Sequence, residues 1–391
     1  MDVNQKSQGP ARRLTESNDH CFFGYYDIPA FSGDGRYHLC HQVKFWDRIP
    51  SKDDTAVIGM IEIETRKFTP LAETTAWNFQ QGSMLQWHPL YPDSKIIYNV
   101  RDGESYKGAI QDIHTGEKKM LDLPVANVDP AGRYALSINF NRMFDFRPGY
   151  GYAGVEDPFK DHAAPKDDGI FLIDLNTGKA KLILSLYDIR ELTRPTLPRD
   201  DAKLLINHIT FNTDGSRFVF LVRNFPVDAP RWRTATVTVN ADGTDPYVLA
   251  GYGLASHYYW RDPSHLMIYA GGEMGNQLYV LKDKTQEYEV FDAEYFTADG
   301  HCSYSPDLKW LLYDSYPDEK SCRNLYLYNI EQRKGVTLGS YYSHPQITGD
   351  FRCDLHPRWN KQGDRISFDS IHEGQRHIYY IDLKDCLSLF D

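Results

Sequence analysis

The sequence predicts an all-β chain folded as a seven-bladed β-propeller closed by an N-terminal strand. Three observations predict it. A turn built from Gly, Asp, Pro or Ser recurs seven times between strand-like runs. The second halves of several units read strand, polar turn, strand. The last unit lacks an outer strand that a segment near the start can supply. Seven units in 391 residues leave about 56 residues each, room for a four-stranded blade and a loop.

In chain order the turns are "SGDGRYHL" at Asp34-Gly35, "YPDSKIIY" at Asp93-Ser94 and "DPAGRYAL" at Ala131-Gly132. They continue with "NTDGSRFVF" at Asp214-Gly215, "RDPSHLMIY" at Pro263-Ser264, "SPDLKWLLY" at Asp307-Leu308 and "NKQGDRISF" at Gln362-Gly363. Such pairs between β-branched or alternating runs are hairpin signals. The outer hairpins follow in "VIGMIEIETRKFTPL", "GIFLIDLNTGKAKLIL", "QLYVLKDKTQEYEVF" and "NLYLYNIEQRKGVTLG". After the seventh turn only "HIYYIDL" and a short tail remain, so residues 11–17, "ARRLTES", are expected to pair there and cover the open edge. Insertions at 41–55 and 141–168 fall between second and third strands, and no helix-periodic stretch of useful length stands out. The expectation is one domain over residues 1–391, with 1–10 disordered.

Composition narrows the partners. The chain is 41% hydrophobic and 14% aromatic with 27 tyrosines, which suit a sheet core and equally suit surfaces that stack on sugar rings. A net charge of −11 argues against a nucleic-acid binder. No apolar run reaches the ~18 residues of a membrane span. The start, "MDVNQKSQGPARRLTES", has no apolar stretch of a secretory leader, so the expected compartment is the cytoplasm, or the periplasm or exterior if a leader has been removed. Six dispersed cysteines read as reduced.

In a propeller the first strand of each blade lines the central channel. The position six residues before each turn holds Ile28, Trp87, Val125, His208, His257, His301 and His356. Four consecutive blades therefore carry histidine at one structural position. Imidazole is a poor core filler that needs polar partners, so the series reads as a functional rim. Six residues after the turn stand His41, Asp314 and Asp369, which makes His301/Asp314 and His356/Asp369 expected cross-strand pairs.

Cys353 lies three residues before His356. Together His301, His356, Cys353 and Asp314 offer the ligand types of a zinc site. Four ligands would close the shell around a structural ion, and three would leave an open, catalytic position. Manganese or calcium is the alternative ion. Elsewhere on the rim His20, His41 and His208 can move protons, and Arg223 in "FVFLVRNF" can grip a carboxylate. His257 and the aromatics Tyr26 in "CFFGYYD", Trp46 in "KFWDR" and Tyr258 in "SHYYW" are candidates to bind substrate. No nucleophile elbow, phosphate loop or dinucleotide fingerprint is present. The rim offers histidines instead of the carboxylate pair of a standard glycosidase.

The hairpins "HCSYSPDLKWLLYDSYPD" and "CDLHPRWNKQGDRISFDS" resemble those of the β-propeller polysaccharide lyases, namely the ulvan lyases and, more distantly, the oligogalacturonate lyases. The resemblance spans most of the chain on short motifs. It implies β-elimination on an anionic uronate-containing glycan (glucuronate or iduronate, ulvan-like), with a cation on the carboxylate, a base at C5 and an acid at the leaving oxygen. By that resemblance His301 and His356 match metal-binding histidines. Cys353 stands where the oligogalacturonate lyases use glutamine and Arg358 where they use histidine, a departure that favours a structural zinc. His20 and His41 look like the paired catalytic histidines of ulvan lyases. His208 and Arg223 fall where a proton-transfer residue, often tyrosine, and a carboxylate-binding arginine stand. The rival readings are a propeller that only binds a glycan or protein, and a glycosidase using histidine chemistry.

Overall fold

The computed structural model describes residues 9–225 and 232–390. The disorder expected over residues 1–8 lies outside them, and Gly9 and Pro10 form a bend. The strands assemble into seven four-stranded antiparallel sheets, the blades of an all-β seven-bladed propeller. The first blade runs His20–Phe22, Tyr37–Val43, Ala56–Glu62 and Phe68–Thr74. The fourth is the most regular, with Lys203–Phe211, Arg217–Phe225, Arg233–Asn240 and Tyr247–Gly253. The sixth comprises Cys302–Tyr304, Trp310–Asp314, Cys322–Asn329 and Lys334–Tyr342.

The seventh blade takes Arg358–Trp359, Arg365–Ser370 and His377–Asp382 from the C-terminal end and its outer strand, Arg12–Arg13, from the N-terminal end. Arg12 faces Tyr380 and Arg13 faces Tyr379. The ladder is shorter than residues 11–17 because Leu14 and Thr15 turn inward. Leu14 is fully buried with its N–H on the Ile378 carbonyl at 2.8 Å, and the Thr15 hydroxyl meets His377 Nδ1 at 2.9 Å.

The chain forms two compact units. One holds the residues up to Tyr98, Gln111–Glu117 and those from Asp299 onward; the other holds Asn99–Ile110 and Lys118–Ala298. In the first unit Leu312, Leu325, Leu327, Leu355, Ile366 and Phe368 form one buried cluster. In the second Val219, Leu221, Trp260, Leu266 and Ile268 do the same. Burying each such side chain contributes about 1.5–3 kcal/mol. Indoles also tie blades together within each unit. Trp87 Nε1 donates to the Ala30 carbonyl at 3.1 Å, Trp359 Nε1 to Ser303 at 3.3 Å and Trp260 Nε1 to Thr210 at 3.2 Å.

Six of the seven expected turns close hairpins as read. In the second blade His88 pairs with Tyr91, so the reversal is at residues 89–90 and Asp93-Ser94 lies inside the strand Tyr91–Asp102. Two short helices also escape the strand pattern. Phe140–Phe146, inside the second insertion, is capped by Asn139, and Leu186–Thr193 opens on a capping box of Ser185 and Asp188. The "SLYD" that starts the latter is a cap signal too short-lived to read as periodicity. All six cysteines are free and buried. No helix among the described residues is long and apolar enough to cross a membrane.

Candidate functional site

The shared histidine position is real as a place in the fold and different in geometry from a ladder pair. In the fourth blade Asn207 pairs with Leu221 and Ile209 with Phe220, so His208 is the extra residue of a bulge, at φ +60°. His257 falls in a comparable register shift between Ala255 and Tyr258. His356 has φ +44°, and the Asp369 N–H bonds the Leu355 carbonyl instead. Positive φ at a non-glycine residue stores strain and turns the side chain out of the ladder, a feature that concentrates at functional sites. In the first blade Ile28 is not opposite His41, which pairs with Phe22. The expected position is thus where the first strand leaves its partner.

Only His301 meets its expected partner. Its backbone N–H donates to Asp314 Oδ1 at 2.8 Å, and its Nδ1 lies 2.9 and 3.0 Å from the two Asp314 oxygens. Asp314 therefore holds Nδ1 as the N–H and presents Nε2 as the ring's lone pair, the arrangement found behind metal-bound histidines. The expected pair His356/Asp369 does not form. Asp369 is bound by Arg358 at 2.9 Å and accepts the Phe23 N–H at 3.2 Å.

His301, His356 and Asp354 come together in the first unit, with ligating atoms all within 4.8 Å of one another. The two imidazoles meet edge to face at 4.4 Å, and His356 Nε2 stands 3.8 Å from Asp354 Oδ2. Tyr25 packs on His356 at 4.8 Å and Tyr26 on His301 at 5.0 Å. Burial alone would raise the Asp354 carboxyl. Arg323 Nη2 and Arg352 Nε, each 2.7 Å from it, override that and hold it well below the usual carboxylate range. Burial, then the neighbouring His301, keeps His356 neutral well below its ordinary value.

This donor set fits a divalent ion. Two imidazoles and an ionised carboxylate suit zinc or manganese, and His356 Nε2 is buried with no hydrogen-bond partner among the described residues. Three protein donors leave further coordination positions open.

The zinc set read from the sequence changes accordingly. Asp314 hydrogen-bonds His301 and lies outside the donor triad. Cys353 packs with Ile347, Ile371, Trp46 and Phe351, outside the donor triad, and burial pushes its thiol up to about 11. The third donor, Asp354, was missed although "CDLHP" places it two residues before His356.

His41 does not stand ready for proton transfer. It is fully buried, stacked on Phe22 at 5.0 Å, with Nε2 taking the Ser83 N–H at 3.1 Å, and burial lowers it to about 4. His20 keeps a small exposed edge beside Trp46, 5.9 Å between rings, and is lowered by burial first and by Arg376 second. In the second unit Tyr258 proves a core residue whose hydroxyl meets Thr210 Oγ1 at 3.0 Å, and His257 is buried beside Ser256. His208 is partly exposed with its ring on Tyr150 at 5.4 Å. Arg223, two positions beyond Leu221 on the same hairpin, lies 5.0 Å from the centre of the Trp232 ring.

The site and fold together define a β-propeller with a buried histidine–carboxylate donor set. No protein-family profile matches the chain, and no curated protein sequence does. Among solved structures it is similar to an oligogalacturonate lyase in complex with manganese, with TM-score 0.69 and 16% identity, over 99% of this chain and 98% of that one. An oligogalacturonate lyase from Vibrio parahaemolyticus gives TM-score 0.66 and 17% identity over 96% and 94%. The tricorn protease gives TM-score 0.51 and 12% identity, over 95% of this chain and 34% of that one. These likenesses establish the propeller; one fold here carries unrelated chemistries.

Proposed function

We propose that the protein is a lyase that cleaves a uronate-containing glycan by β-elimination, with an ulvan-like glucuronate or iduronate polymer as the finer substrate reading. The observation that carries this reading is the buried donor set His301, Asp354 and His356, with Asp314 behind it, on a propeller that matches two oligogalacturonate lyases along almost their whole length.

Elimination breaks C5–H and C4–O and forms C4=C5. The first proton is not acidic until the neighbouring carboxylate is neutralised, and positive charge there stabilises the enolate-like transition state. His301, Asp354 and His356 would hold the divalent ion, manganese or zinc, which when bound supplies such a charge. Arg223 can pair with a carboxylate through two N–H groups. His208, lifted from the ladder by its bulge and partly exposed, is suited to take a proton near neutral pH. His20 is the other histidine of the expected proton-transfer set that keeps an exposed edge.

A propeller that binds a glycan without cutting it is the second reading, favoured by the closure of the donor set, whose three residues are each 1–2% exposed. Incubation with glucuronate-, iduronate- and galacturonate-containing polysaccharides separates the two. New ultraviolet absorbance and a product lighter by one water than the hydrolysis product support the lyase. Saturated products identify a hydrolase, and tight binding without cleavage identifies the binding propeller.

A further inference from the structure

In the second unit two guanidinium groups share one indole. Arg147 lies 5.1 Å from the centre of the Trp232 ring and Arg223 lies 5.0 Å from it. Trp232 is 40% exposed, whereas most aromatic rings of the fold are buried. Arg147 ends the helix Phe140–Phe146, where its own N–H bonds the Met143 carbonyl. Its guanidinium lies over Tyr150 at 4.1 Å and donates through Nη1 to Asn207 Oδ1 at 2.7 Å. Among the described residues no carboxylate stands within ion-pair distance of Arg147, although a guanidinium carries five N–H donors. Asn207 is fully buried, and its Nδ2 has no hydrogen-bond partner among the described residues.

A guanidinium with no carboxylate beside it keeps N–H donors for an anion, and a buried amide donor without an acceptor costs stability. In a chain of net charge −11, Arg147 sets a positive group beside a flat, partly exposed apolar ring. A sugar ring offers C–H groups to an indole face, and an anionic substituent offers oxygens to guanidinium and amide donors. We infer that Arg147, Trp232 and Asn207 form a binding subsite for an anionic pyranose, with Trp232 as the stacking platform and Arg147 as the anion clamp. The shared chemistry is a ring bearing either a carboxylate or a sulfate ester. This deepens the lyase reading and rests on it for the substrate class.

The test uses the full chain with three probes: a glucuronate-containing tetrasaccharide, its carboxyl-reduced counterpart, and a sulfated neutral tetrasaccharide. Calorimetry should show the charged probes binding at least tenfold tighter than the reduced one, and the better of the two identifies carboxylate or sulfate. Trp232→Ala and Arg147→Ala should each weaken that binding about tenfold, and in turnover should raise KM far more than they lower kcat. Arg147→Lys should recover only part, because an ammonium lacks the planar fork. Trp232→Phe, with melting compared to wild type, guards against misfolding and should restore most of the affinity. If the Ala variants bind and cleave as wild type does, the subsite is wrong while the lyase reading stands. Binding that depends on Trp232 with no unsaturated product from any uronate polymer keeps the subsite and removes the lyase. No binding of any probe removes the subsite outright.

Discussion

Asp314 grips His301 at both ends of the histidine, taking its backbone N–H at 2.8 Å and its ring Nδ1 at 2.9 Å. The ring can neither turn nor change tautomer without breaking a buried hydrogen bond. Removing such a partner typically lowers metal affinity 10–100-fold. Asp314→Asn should therefore weaken manganese and zinc binding on that scale in calorimetry, and His356→Ala should abolish it. Equal affinity in wild type and Asp314→Asn would show that the donor set is not a metal site.

Cys353 gives the complementary prediction. Its thiol is buried among Ile347, Ile371 and Phe351 and raised to about 11, so it is a small apolar side chain at neutral pH. Cys353→Ala should keep full metal content by elemental analysis, while Asp354→Asn should lose it. A metal-free Cys353→Ala protein would restore cysteine to the ligand set.

Closure of the seventh blade separates backbone from charge. Arg12 reaches Asp382 at 3.3 Å and Asp385 at 2.7 Å, but it is half exposed, so Arg12→Ala should leave stability nearly unchanged. Leu14 is fully buried at the end of the same short strand, and Leu14→Ala should cost about 2–5 kcal/mol. Denaturant titration decides; equal losses would mean that the N-terminal segment is not docked as described.

Acid should unfold the protein through its buried neutral histidines. Burial lowers His38 to about 3, with Arg358 adding to it, and lowers His41 to about 4. Unfolded, each takes a proton near 6.5, so below that pH the unfolded state binds more protons and stability falls as pH falls. The loss should run from about pH 6.5 down to about pH 4 and 3, then level off for these groups. His41→Asn should flatten the slope of unfolding free energy against pH across this window. A slope identical to wild type would contradict the neutral, sealed state of His41.

The propeller was legible because its turns are local. The few residues around each Asp-Gly or similar pair specify a reversal, and six of seven did so where expected. "YPDSKIIY" failed because the chain had already reversed at residues 89–90. The histidine column was legible for the same reason, since equal hairpins keep equal distances from the turn. What they surround was not. Whether His356 faces Asp369 or Asp354 depends on a backbone at φ +44° just before the strand, and strand alternation carries no signal for that. His41 and Tyr258 match the pattern of rim residues and are core, because burial is decided by Phe22, Ser83 and Thr210 from other segments. Trp232 and Arg147 escaped notice because they lie in irregular chain outside the repeat.

The proposed elimination rests on the fourth blade. His208 stands proud of its strand at φ +60°, and Arg223 is buried to 4% on the partner strand. A positioned proton-transfer group typically contributes about 10²–10⁴-fold, so His208→Ala should lose activity on that scale while keeping its melting transition. His208→Tyr should recover part of it, because a phenol can also carry the proton. Arg223→Ala should fall at least as far, with KM raised as well, since it would lose both carboxylate binding and charge stabilisation. Arg223→Lys should remain well below wild type, because one ammonium cannot reproduce two parallel N–H bonds. By contrast His41→Asn should keep kcat within a small factor once its stability loss is corrected at neutral pH. If His41→Asn is as dead as His208→Ala, the buried histidine takes part in the reaction and the assignment of proton transfer to the fourth blade is wrong.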